Sequence, residues 1–161
     1  VRSVFDLLYG AYTSARLAWL RRRRAVSEYE SENLLYEALT GVMEEKGMYE
    51  LGVVLHFPLS MLLGDGAELT EEETRYATHP WTHVDFCVYR KVDKSAVLVI
   101  EVDGVAFHPE GSVQAMRDAM KNEILRKSGV ALLRLPTNGS GERERLAEAL
   151  QKALAGVVTV L

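Results

Sequence analysis

Apolar positions recur along the chain at two periods, and the switches between them mark out its elements. Val4, Leu7, Leu8, Ala11, Tyr12, Ala15, Leu17, Ala18 and Trp19 fall at helical spacing and predict an amphipathic first helix to about Leu20. Four arginines, Arg21 to Arg24, follow it and read as a solvated helix end or a phosphate contact. Ser27 or Ser31 can cap a second helix, with Glu30 three residues after Ser27 as a capping box requires. Leu34, Leu35, Ala38, Leu39, Val42 and Met43 form the apolar face of that helix, and Gly47 ends it.

Residues 51–57 read as a strand and 58–63 as a short helix with Pro58 in its first turn. The polar stretch 68–80 is a loop in which Thr70 and the three following glutamates can start a helical turn. Two apolar runs, 83–90 and 96–103, are separated by a linker short enough for a hairpin. Ser112 or Gly111 then opens a third helix with Val113, Met116, Met120, Ile124 and Leu125 on one side. Gln114, Arg117 and Lys121 can share a polar edge of the same helix. Gly129 stops it, residues 130–135 form a buried strand closed by Pro136, and a last helix turns Leu146, Leu150 and Leu154 to the core. The apolar tail 157–161 reads as an edge strand or as a segment covered by further sequence.

This order of elements predicts an α/β fold: a mixed sheet with helices on both faces and an extra N-terminal helix. The strand after the third helix should lie parallel to the 96–103 strand by a right-handed crossover, which brings the start of that helix next to Glu101.

With 161 residues and 48% hydrophobic content, the chain is long enough for one real core. We read residues 1–26 as a helix and basic linker and 27–161 as the globular unit. The net charge of -4 argues mildly against a nucleic-acid partner, although a metal site would concentrate acid where a cation offsets it. Cys87, the single cysteine, sits in an apolar strand as a small core residue and excludes an intrachain disulfide. No apolar run reaches the ~20 residues of a membrane span, and no signal peptide is present, so an intracellular, cytoplasmic setting is expected. The initial Val suggests a piece of a larger protein.

Three carboxylates interrupt the two central strands: Asp85, Glu101 and Asp103. An ionised carboxylate flanked by Val, Ile and Phe loses at least several kcal/mol in desolvation unless a cation or donors meet it. If the strands are neighbours, Asp85 and Glu101 lie side by side at a sheet edge, and such hard oxygen ligands suit Mg²⁺ or Mn²⁺. Glu32 shares the apolar stripe of the second helix; it is either a carboxylate favoured by the helix N-terminus or one aimed at the same cluster. His108 beside its turn is a structural histidine or a functional one, and His83 reads as a surface residue.

Taken together, Glu32 with Leu35, Tyr36 and Leu39; His83-Val84-Asp85-Phe86; Ile100-Glu101-Val102-Asp103-Gly104 with His108; Arg117-Asp118 and Lys121; and Gly129 before Leu132-Leu133-Arg134 resemble the PD-(D/E)XK nuclease superfamily. Within it they are most similar to the very-short-patch-repair-like, restriction-endonuclease-like domains at the C-terminus of some bacterial superfamily I helicases. The resemblance runs from about Ser27 to Leu154, and only the combination of motifs is specific. It implies a Mg²⁺- or Mn²⁺-dependent DNA endonuclease joined to helicase domains in its parent chain. By that resemblance Asp85 bridges the metal, Glu101 and the backbone carbonyl of Val102 are further ligands, and Glu32 completes the shell. Asp103 stands where the superfamily usually has its catalytic lysine. The base or stabilising cation would then be Lys121 or His108, with Gln114 and Arg117 holding a phosphate.

Hydrolysis in such a site rests on a carboxylate-held cation that lowers the pKa of bound water and neutralises the phosphorane, aided by a preorganised cation. A second reading keeps the fold as a module that binds DNA or docks a helicase without turnover, because Asp103 replaces lysine. A metal enzyme acting on a small molecule is the weakest of the three, since Gly139 and Gly141 lack the spacing and lysine of a phosphate-binding loop.

Overall fold

Period-two alternation in the apolar runs folds into a four-stranded sheet. In the computed structural model, which describes residues 4–23, 25–103, 112–136 and 140–158 and omits the side chains of 4–7 and 20–23, β1 is Leu51–Pro58, β2 His83–Arg90, β3 Ala96–Asp103 and β4 Ala131–Pro136. The strand order is β1-β2-β3-β4. β1 and β3 both pair antiparallel with β2, and β4 runs parallel to β3 after a helical crossover. The sheet is therefore mixed, and helices cover both of its faces, as the order of elements predicted.

The helices are α1 (Val4–Arg23), α2 (Glu30–Glu45), α3 (Glu71–Ala77), α4 (Val113–Lys127) and α5 (Glu142–Leu154), with a 3-10 turn at Leu59–Leu62. The chain divides into two compact units, Val1–Tyr36 and Glu37–Leu161. In the second unit, Cys87 on β2, Val99 on β3 and Leu132 on β4 pack with Leu59, Leu62, Ala77, Ile124 and Leu125 from the 3-10 turn, α3 and α4. Alternation sends the buried Leu98, Ile100, Leu133 and Leu135 to the opposite face, and α5 packs against β3 and β4.

Two of the helices, α2 and the crossover helix α4, stop on glycine. After α2, Gly47 (φ 65°) lets its own N–H reach Glu44 and the Met48 N–H reach the Met43 carbonyl; after α4, Gly129 (φ 71°) does the same with Arg126 and Leu125. Only a residue without Cβ takes this left-handed turn at little cost, so both glycines close their helices as the sequence predicted. Ser112 caps α4, its hydroxyl accepting from the Ala115 N–H at 3.2 Å.

Several expectations are corrected. α1 continues to Arg23 rather than ending near Leu20, because arginine is a good helix former and the charged block extends the helix. Its Leu8, Tyr12, Leu17 and Trp19 are exposed. α2 begins at Glu30, too late for a box between Ser27 and Glu30. Instead Ser27 is held by Asn33, whose Oδ1 accepts from the Ser27 N–H and whose Nδ2 donates to its carbonyl, each at 2.9 Å. Leu34 is exposed while Leu35, Leu39, Val42 and Met43 are buried, so the apolar face of α2 is narrower than predicted.

Residues 71–77 form a helix rather than a loop, started by a full capping box between Thr70 and Glu73. On α4 the predicted apolar side is buried only at its C-terminal half: Ile124 and Leu125 are core, whereas Val113 and Met116 are 66% and 59% exposed. Leu154 is half-buried rather than core, and Val157 and Val158 are exposed and outside any strand, the rest of the predicted edge strand lying outside the described residues. No helix among the described residues is long and apolar enough to cross a membrane.

Candidate functional site

The register places the strand carboxylates. Phe86 pairs with Ile100 across β2 and β3, so one step further on each strand Asp85 and Glu101 leave from the same face, beside the N-terminal half of α4. β4 adds to the site through its parallel pairing, which sets Arg134 beside Glu101 and Pro136 beside Asp103. Asp85, Glu101, Asp103, Gln114, Lys121 and Arg134 line one cavity of about 640 Å³. Five of these are candidates from the sequence, Val102 lines the same cavity as a sixth, and Arg117 stands on the adjoining wall.

Each strand carboxylate meets a donor from the chain itself. The Val102 backbone N–H donates to Asp85 Oδ2 at 2.8 Å. Lys121 donates to Glu101 Oε2 at 2.9 Å, with both side chains largely buried. Arg134 donates to Asp103 Oδ1 at 2.5 Å and, through Nε and Nη2, to Asn122 Oδ1 at 3.0 and 2.9 Å. Asp118 stands 3.6 Å from Arg134 and accepts from Gln114 at 3.2 Å. One acceptor is left over: Glu101 Oε1 is buried and has no hydrogen-bond partner among the described residues. Burial raises the Glu101 pKa above the ordinary carboxylate value; Lys121 draws it back and the charge of Asp85 pushes it up again.

Asp85 and Glu101 have the chemistry of hard-cation ligands, and Glu101 Oε1 is a free one. The set as a whole does not fit a resident metal, however. Among the described residues no group of three or more His, Cys, Asp or Glu side chains is arranged to hold an ion, and one oxygen on each of Asp85 and Glu101 is already engaged. Val102, expected to offer its carbonyl, lines the same cavity, and its N–H donates to Asp85. Glu32 belongs to the other compact unit, where it is buried and accepts a hydrogen bond from the Ser27 hydroxyl. His108 lies outside the described residues.

Next to this cavity an open trough of about 790 Å³ runs between α3, the start of β2 and α4. Its walls carry Arg75, Tyr76, His79, Trp81, His83 and Arg117, and it shares Asp85, Gln114, Asp118 and Lys121 with the first cavity. Arg117 is exposed. His83 is exposed too, its Nδ1 3.1 Å from the Trp81 carbonyl, in keeping with the surface reading. Sequence reasoning missed Arg134 as the partner of Asp103. A lone charge in the apolar run Leu132-Leu133-Arg134-Leu135 was the available signal, by the same logic that singled out Asp85. The trough gave no such signal, because its residues come from separate segments.

A family model described as "Protein of unknown function (DUF2726)" matches residues 27–154. The chain belongs to this family. All the strands, and every site residue above, fall inside the DUF2726 match, whereas α1 falls outside it. The chain is also 36% identical over 95 residues, 57% of its length, to a protein of Haemophilus influenzae (strain ATCC 51907 / DSM 11121 / KW20 / Rd) described as uncharacterized. It spans about half (47%) of the length of that curated relative. No solved structure matches. The DUF2726 domain is thus a generic α/β fold with a mixed sheet between helices, compatible with a nuclease-like scaffold.

Proposed function

We propose that this chain is a nuclease-fold module that holds DNA without hydrolysing the strand. One observation carries the reading: all three strand carboxylates are engaged by donors of the chain itself, Asp85 by the Val102 N–H, Glu101 by Lys121 and Asp103 by Arg134. Pairing of this kind stabilises its end of the sheet and leaves few oxygens for a cation. Support for DNA comes from the cations and exposed rings of the adjoining trough, set where the resemblance to PD-(D/E)XK nucleases would put a substrate.

A second reading, a Mg²⁺- or Mn²⁺-dependent endonuclease, is favoured by Glu101 Oε1, a buried acceptor with no partner next to Asp85. Incubating the chain with plasmid and single-stranded DNA in either cation separates the two. Salt-sensitive retention without cutting is expected, the affinity falling steeply as salt rises. Cutting that is lost in Asp85→Ala and Glu101→Ala would replace the module by the enzyme, and the absence of any DNA binding would remove both.

A further inference from the structure

The trough holds one feature that the carboxylate network does not use. Trp81 is 83% exposed, yet its backbone is pinned on both sides: its N–H donates to His79 Nδ1 at 3.3 Å, and its carbonyl lies 3.1 Å from His83 Nδ1. His83 in turn starts β2, two residues before Asp85, and its ring stands 5.3 Å from that of His56. The following turn is tied down as well, since the Thr82 N–H donates to the His79 carbonyl at 3.0 Å and the Leu59 N–H donates to the Thr82 carbonyl at 3.1 Å. An indole left in water on a backbone fixed this firmly is a flat surface held at one place in the trough, and a ligand has only its two side-chain torsions left to order.

What surrounds it selects the ligand. Arg117 on α4 is exposed and Arg75 on α3 makes only a surface pair with Glu71; both line the trough with Trp81 and Tyr76. Three acids share it, Glu72, Asp85 and Asp118, and two of them are partly answered: Asp118 by Arg134 and Gln114, and Asp85 by the Val102 N–H. A planar apolar face next to guanidinium groups suits a stacked base with its phosphate alongside, and a trough of this volume can take one or more nucleotides. In a duplex the base faces are covered by their neighbours and cannot reach the indole.

We infer that the trough binds an unpaired nucleotide, its base stacked on Trp81 and its phosphate held by Arg117, so that the module prefers single-stranded over duplex DNA. The inference deepens the DNA-holding reading above and rests on it. The whole chain carrying Trp19→Phe, in which Trp81 is the sole tryptophan, is titrated in EDTA with a dT12 strand and with a duplex of equal length. Quenching of Trp81 emission by dT12 and at least ten-fold tighter binding of dT12 than of duplex are expected. Trp81→Ala should weaken dT12 binding by about ten-fold or more, with duplex affinity nearly unchanged; the exposed side chain makes this variant safe for folding. Equal or tighter duplex binding, or dT12 affinity indifferent to Trp81→Ala, overturns the stacking site while leaving DNA binding in place. Failure to bind either DNA overturns the DNA-holding reading itself.

Discussion

Two lysines of α4 meet their glutamates in opposite ways. At the C-terminal end Lys127 donates to both oxygens of Glu73, at 2.9 and 2.8 Å, and Glu73 Oε2 also takes the Thr70 N–H at 2.7 Å. Near the middle of the helix Lys121 reaches only Oε2 of Glu101, and Oε1 has no partner among the described residues. The first pair ties α3 to α4 and satisfies its carboxylate. The second leaves a buried acceptor unfilled, at a cost of about 1–3 kcal/mol. The same helix therefore shows what a structural lysine–glutamate pair looks like here, and the contrast marks the Glu101 pair as the one kept for something else.

Removing each lysine tests that contrast most directly. Lys121→Met strands a buried carboxylate and is expected to destabilise the chain by about 3 kcal/mol at neutral pH, a fall in Tm of about 6–12 °C. Lys127→Met should lower Tm by clearly less, because Glu73 keeps its capping hydrogen bond. Thermal melts of both variants decide it, and equal losses would erase the distinction between the two pairs.

The protonation of the two glutamates sharpens it. Lys127 and the Thr70 N–H hold Glu73 below the ordinary 4.5, so its contribution to stability is present above that value and is lost as pH falls through the folded pKa. Burial holds Glu101 above 4.5, so its contribution is fully present below that value and is lost as pH rises through the folded pKa. Wild type minus Glu73→Gln should therefore rise with pH at and below 4.5, and wild type minus Glu101→Gln should fall with pH from 4.5 upward. Denaturant midpoints measured between pH 3 and pH 7, a window on the order of the carboxylate range, give both slopes; slopes of one sign would contradict the geometry.

The smallest effect belongs to the exposed face beside the site. Met116→Ala should shift stability by no more than about 0.5 kcal/mol, as for a surface position, although its helical spacing reads as core. A loss of 2 kcal/mol or more, roughly that of a buried methionine, would mean that something covers the N-terminal half of α4.

The sheet and its helices were legible in the chain because burial imposes periodicity. Alternating runs, glycine stops at Gly47 and Gly129, and a short linker between two strands are local signals with few solutions. The candidate site was half legible for the same reason: carboxylates at Asp85, Glu101 and Asp103 stand out where a strand should be apolar. Local pattern could not tell which donor each of them meets. Arg134 reaches Asp103 only through the parallel register of β3 and β4, and Lys121 reaches Glu101 only because α4 returns over the strand end.

Periodicity also overstated what is buried, since Val113 and Met116 continue the stripe of Ile124 and Leu125 past the point where the sheet stops. Sequence alone determined the α/β class, the strands and the cluster of acid at one edge, because each follows from how neighbouring residues share a face. Only the tertiary structure decided that the acid is answered by the chain's own cations and that Trp81 stands in an open trough beside it, because partners far apart in sequence meet only when the strands pair.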